Sequence, residues 1–92
     1  MTTLINLKKR GQPKPKYDVR IDRSSIFGNP FVIGPDGTRD EVIEKYEEYF
    51  YKRLTNPEFR DKVLELKGKI LACWCVPLRC HGDIIIEYLE SL

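Results

Sequence analysis

The sequence predicts an α/β domain: a small, at least partly parallel sheet with three helices in one layered sandwich. Three observations lead to it. Strand-like segments lie near the start of the chain and again near residue 70, two helical periodicities fill the interval, and a third closes the chain. Helices between strands supply the crossover that a parallel pairing requires. A chain of 92 residues has room for one core, so residues 1–92 read as a single domain, with residues 1–16 as a basic N-terminal strand and arm.

"TTLINLKK" alternates loosely and reads as the first strand, ended by the breaker-rich "RGQPKPK". In "YDVRID", Tyr17, Val19 and Ile21 share one face at period two and form a second strand. "SSIFGNPFVIGPDG" carries two turn signatures, Gly28-Asn29-Pro30 and Pro35-Asp36-Gly37, and reads as an ordered loop. "TRDE" is a capping box that opens a helix: Val42, Ile43, Tyr46, Tyr49, Phe50 and Leu54 recur on one face, opposite Glu44, Glu47, Glu48 and Lys52. Asn56 as cap and Pro57 as first residue begin a second helix, with Phe59, Val63 and Leu66 inward and Gly68 placed to end it. "KILACWCV" is a short apolar strand between Gly68 and Pro77. "DIIIEYLESL" is the last helix, with Ile85, Tyr88, Leu89 and Leu92 inward and Asp83 in its first turn.

Composition narrows the function classes. Apolar residues are 41% and charged residues 33%, as in folded globular chains. No apolar run approaches a membrane span, and "MTTLINLKKRGQPKPK" lacks the pattern of a secretory leader. The three cysteines are odd in number and crowded into one segment, a poor disulfide framework, so a cytoplasmic protein without a membrane partner is expected. The net charge of +2 hides an asymmetry, because residues 1–23 carry seven Lys/Arg against two Asp and residues 24–92 carry nine against twelve acidic groups. That basic quarter suits an anionic partner, nucleic acid included, or simply a solvated strand with lysine-protected edges.

The chemistry is concentrated in "ACWCVPLRCHGD", residues 72–83, which holds every cysteine and the sole histidine and tryptophan. On a strand, Cys73 and Cys75 face the side of Leu71, while Ala72 and Trp74 face the other. Trp74 reads as core and Cys73 as a small buried hydrophobe. Pro77 ends the strand, so Cys80 and His81 fall at the start of the last helix, where the dipole favours a thiolate. Cys80 is therefore expected to be partly exposed and more reactive than Cys73. Cys73, Cys75, Cys80 and His81 make a formal Cys₃His set, but one pair is separated by a single residue and the other is adjacent, unlike usual zinc spacings. No metal and no cofactor is assigned, and a zinc-stapled interaction module stays as an alternative.

The segments "RSSIFGNPFVIGPDGTRDEVIEKYEEYF" and "LKGKILACWCVPLRCHGDIIIEYL" together resemble the bacterial, archaeal and viral family known as domain of unknown function 4326, from about Tyr17 to Leu89. The resemblance rests on Arg23, Gly28, Asn29, Pro30 and Phe31 and on Cys73, Trp74, Cys75, Pro77, Cys80, His81, Gly82 and Asp83; Asp22 stands where that pattern leads one to expect glycine. It implies that the two segments act together and implies no activity. The expected function is a pocket for an anionic, nucleotide-like or phosphorylated small molecule, with Arg23, Asn29, Cys75 and Gly82 as ligand-binding residues. In an enzymatic form Cys80 would be the nucleophile, His81 the acid/base and Asp83 its orienter. The alternative is nucleic-acid binding through the basic arm. The pocket reading also requires residues 17–22 to run parallel to residues 69–75, so that Arg23, Asn29, Cys80 and His81 meet at one edge.

Overall fold

The computed structural model describes residues 2–6, 17–23, 25–74 and 78–92. Most of the basic arm, residues 7–16, lies outside them, as does Cys75. The element order is β1 (Thr3–Asn6), β2 (Val19–Arg20), α1 (Arg39–Arg53), α2 (Pro57–Leu64), β3 (Ile70–Cys73) and α3 (His81–Glu90). Among the described residues this is a small α/β architecture with three helices and a three-stranded parallel sheet in the order β1-β3-β2.

The last strand in sequence is the middle strand in space. β3 pairs with β1 from Thr3↔Ile70 to Asn6↔Cys73, and with β2 at Val19↔Leu71 and Arg20↔Ala72. The β2 ladder extends beyond its two formal residues: Asp18 donates its amide to the Ile70 carbonyl at 2.9 Å and Ile21 donates to that of Ala72 at 2.9 Å. Being central, β3 is covered on both faces, and Leu71, Ala72 and Cys73 are all buried.

The helices start where local chemistry tells them to. At α1, Glu41 donates its amide to Thr38 Oγ1 at 3.3 Å and Thr38 donates its own to Glu41 Oε1 at 3.0 Å, closing the capping box. Asn56 caps α2 by accepting the Glu58 amide at 2.9 Å, with Pro57 in the first turn. α2 ends at Leu64, and Gly68, at φ +80°, turns the chain back toward β3. The inward faces of α1 (Ile43, Tyr46, Phe50), α2 (Phe59, Val63) and α3 (Ile84, Ile85, Leu89) join Ile21 and Leu71 in one core. Leu92, expected inward, is exposed because α3 stops at Glu90. Among the described residues no helix is long and apolar enough to cross a membrane.

Candidate functional site

Parallel pairing sends the carboxyl ends of β2 and β3 to one edge of the sheet. From β2 the chain passes through Ile21, Asp22 and Arg23 into the Gly-Asn-Pro loop; β3 ends at Cys73 with a bend at Trp74, and Leu78, Arg79 and the N-cap Cys80 lead into α3. The loop is pinned to α1. The buried Tyr46 hydroxyl donates to the Phe27 carbonyl at 2.8 Å, Arg53 Nη1 donates to that of Ile26 at 2.7 Å, and Asn29 Nδ2 donates to that of Val42 at 3.4 Å. Between this loop and the start of α3 lies a cavity of about 350 Å³, bordered by Arg23, Asn29, Cys80 and His81.

Cys80 is the N-cap of α3, and its sulfur accepts the Gly82 amide at 3.4 Å. The adjacent side chain does not diverge from it: Cys80 Sγ lies 3.3 Å from His81 Nδ1. The other ring nitrogen, Nε2, is 2.5 Å from the Ile21 carbonyl. A carbonyl only accepts, so Nε2 carries the hydrogen and Nδ1 of the neutral ring is left to accept from the Cys80 thiol. Burial pushes His81 below the ordinary histidine range, although the Ile21 carbonyl, Asp22 and Asp83 favour its charged form. The Tyr46 ring meets the imidazole edge-on at 5.1 Å and fixes its plane.

Cys73 reaches the same point from the end of β3, its sulfur 3.1 Å from that of Cys80. Neither cysteine is in a disulfide, and each is only 1% exposed, so Cys80 is buried rather than partly exposed. A helix start was expected to be open, but here its cap is packed into the core cluster, with the Cys80 sulfur against Cys73 and the His81 ring. Trp74, expected in the core, is 51% exposed and borders the cavity. Its indole Nε1 donates to Asp22 Oδ2 at 2.9 Å, while Arg20 pairs with the same carboxylate and lies over the indole ring.

The remaining candidates divide. The carboxylate of Asp83 accepts the Cys80 amide at 3.0 Å and so closes the α3 cap; the group on the far nitrogen of His81 is the Ile21 carbonyl. Gly82 is buried and does not border the cavity, since a Cβ there would come within 2.8 Å of Ile21 Cδ1 and 2.9 Å of Leu4 Cδ1. Asn29 borders it, but its Oδ1 accepts the Phe31 amide at 2.9 Å while its Nδ2 ties the loop to α1. Cys75 lies outside the described residues, and among those described no cluster of three or more His, Cys, Asp or Glu is arranged to hold a metal ion.

Sequence reasoning missed Arg39 and Arg79, which border the cavity from α1 and from the approach to α3. It also missed the Asp22–Trp74 bond. That bond follows from the strand register, which a linear reading does not supply: Arg20 faces Ala72, so two residues further Asp22 falls opposite Trp74.

The fold and the cavity define a small α/β domain with a parallel sheet and a buried thiol–imidazole pair at its carboxyl edge. The chain belongs to the family described as Domain of unknown function (DUF4326), whose model matches residues 5–91. It is 38% identical over 81 residues to the uncharacterised 12.4 kDa protein of the nrdA-td intergenic region of Enterobacteria phage T4, covering 86% of this chain and 73% of that one. It is 36% identical over 76 residues to an uncharacterised protein of Acanthamoeba polyphaga mimivirus, covering 74% of this chain and 55% of that one, so the match spans about half of the mimivirus protein. No solved structure matches the chain at a comparable level.

Proposed function

We propose that this domain binds a phosphorylated, nucleotide-like small molecule in the cavity at the carboxyl edge of its sheet. The observation that carries the reading is the company kept on the cavity wall: the three guanidinium side chains of Arg23, Arg39 and Arg79 beside the exposed indole of Trp74. Guanidinium forks suit phosphate oxygens, and an indole face suits a heterocyclic base. Arg23 donates Nη2 to the Phe31 carbonyl at 3.2 Å and Arg39 donates Nη1 to that of Arg79 at 3.3 Å. Each bond uses one donor of five and holds the fork in place. Arg79 is paired with Asp40 at 3.1 Å in an exposed bridge that an incoming phosphate can displace. The volume of about 350 Å³ suits a mononucleotide-sized molecule rather than a polymer. The amides at the start of α3 are not part of the reading, because Cys80 and Asp83 already occupy that cap.

Trp74 is the only tryptophan, so its emission reports directly from the cavity wall. Titration with adenosine 5′-monophosphate, ribose 5-phosphate, inorganic phosphate and adenosine is expected to change that emission at millimolar or lower concentration for the phosphorylated compounds and much less for adenosine. Arg23→Ala is expected to weaken binding roughly tenfold to a hundredfold through loss of a charge-assisted contact. An emission indifferent to all the phosphorylated compounds, or a response to adenosine equal to that for its phosphate, would overturn the reading.

A further inference from the structure

We propose that Cys73 and Cys80 form a redox-active dithiol that reduces small hydroperoxides, with Cys80 as the attacking sulfur and Cys73 as the resolving one. The two sulfurs come from different elements, the end of β3 and the cap of α3, yet lie 3.1 Å apart with the His81 ring against one of them. Packing alone would not require two thiols and an imidazole joined in one chain of polar contacts, from the Ile21 carbonyl through the ring to Cys80 and on to Cys73. The proposal needs no ligand in the cavity and stands or falls apart from the phosphate reading.

The chemistry follows from who can donate. The Cys80 proton passes to Nδ1 of His81, and the resulting imidazolium keeps its Nε2 hydrogen on the Ile21 carbonyl. The thiolate left at Cys80 is met by the Gly82 amide and by the Cys73 thiol, and it sits on the positive end of the α3 dipole. It attacks one oxygen of the hydroperoxide: an S–O bond forms, the O–O bond breaks, and the departing alkoxide or hydroxide takes the proton from His81. Cys80 is then a sulfenic acid. The sulfur of Cys73 attacks it, an S–S bond forms, the S–O bond breaks, and the hydroxyl leaves as water with the Cys73 proton. Two thiols and one hydroperoxide have become one disulfide, one alcohol and one water. Two equivalents of a small thiol then restore the dithiol by exchange: the first forms a mixed disulfide with one cysteine and releases the other, and the second releases the remaining cysteine and leaves with the first as their own disulfide. Burial sets the substrate class, because sulfurs on residues only 1% exposed are reachable by an oxidant of a few atoms and not by a bulky disulfide or a protein.

The test uses the folded, reduced chain, freed of reductant and given one equivalent of hydrogen peroxide. Remaining thiols are alkylated in denaturant and the chain is mapped by mass spectrometry. The expected product is lighter by about 2 Da before alkylation, carries a Cys73–Cys80 cross-linked peptide and an alkylated Cys75, and reverts with dithiothreitol. Peroxide consumption is expected to be roughly tenfold or more faster than by the same concentration of glutathione. In Cys73→Ser the reaction should stop at the sulfenic acid of Cys80, trapped by dimedone; the mapping of the native chain does not depend on that variant folding. A cross-link through Cys75, Cys73 and Cys80 both still alkylatable after peroxide, or consumption no faster than by glutathione would each overturn the proposal.

Discussion

At Gly28 the chain needs a residue without a side chain, because a Cβ there would lie 2.6 Å from the Asp22 carbonyl oxygen and 2.7 Å from Arg23 Cα. Both neighbours are backbone, so nothing flexible can give way, and the approach presses the Gly-Asn-Pro loop onto the end of β2 beside Arg23. Gly28→Ala is expected to cost at least about 2 kcal/mol in a urea melt and to abolish the Trp74 emission response to phosphorylated compounds. A mild loss of stability with full binding would show that the loop position does not set Arg23. The same scale shows what a linear reading gets and misses. Gly28 and Asn29 draw notice as a turn signature, and Cys80 and His81 because a polar pair beside a glycine at a helix start has little packing reason to be there. The exposure of Trp74 and the burial of Cys80 were not legible, since each depends on a partner far away in the chain. Trp74 is held outward by Asp22, 52 positions earlier, and Cys80 is buried where the end of β3 brings Cys73 against it within the core cluster.

Among the elements, the best-read boundaries are those with their own capping chemistry. Thr38 with Glu41, and Asn56 with Pro57, name the starts of α1 and α2 within a few consecutive residues, and the structure has both helices there. The hydrogen bond from the Thr38 amide also holds the Glu41 carboxyl below its usual range. Thr38→Ala is expected to destabilise the fold by about 1 kcal/mol in a denaturant melt while leaving phosphate binding and peroxide consumption unchanged, because Thr38 does not border the cavity. Loss of binding at unchanged stability would instead give Thr38 a place in the site. β2 was read longer than the two residues that pair formally. The period-two alternation of Tyr17, Val19 and Ile21 is real, but the chain leaves the ladder at Asp22 and turns into the loop, and no local pattern marks that exit.

For the molecule as a whole, acid stability follows from one buried ring. His81 has its folded pKa lowered below the ordinary value of 6.5 by burial. Between the folded and unfolded values the unfolded chain therefore holds more protons, and stability rises with pH there. This contribution is complete above about 6.5 and is lost as pH falls through the folded value; Asp22 and Asp83 favour the charged ring and Arg23 opposes it. Urea midpoints measured from pH 7 down to pH 5 are expected to fall, and His81→Gln should flatten that part of the curve. A flat profile in the unmodified chain would mean the ring titrates alike folded and unfolded, and midpoints that rise toward pH 5 would mean it is charged when folded. The strand order has a different consequence, one of timing. Among the described residues β1 and β2 each pair only with β3, whose first residue, Ile70, follows both of them and two helices as well. On the ribosome the early strands emerge with no neighbour to bond, and the apolar stripes of α1 and α2 have no sheet to cover. Translation then delivers residues 70–81 together, which are at once the keystone of the sheet and the thiols and imidazole of the cavity. A nascent chain halted before them has neither a paired sheet nor the thiols and imidazole of the cavity, and is a ready substrate for chaperones and proteases.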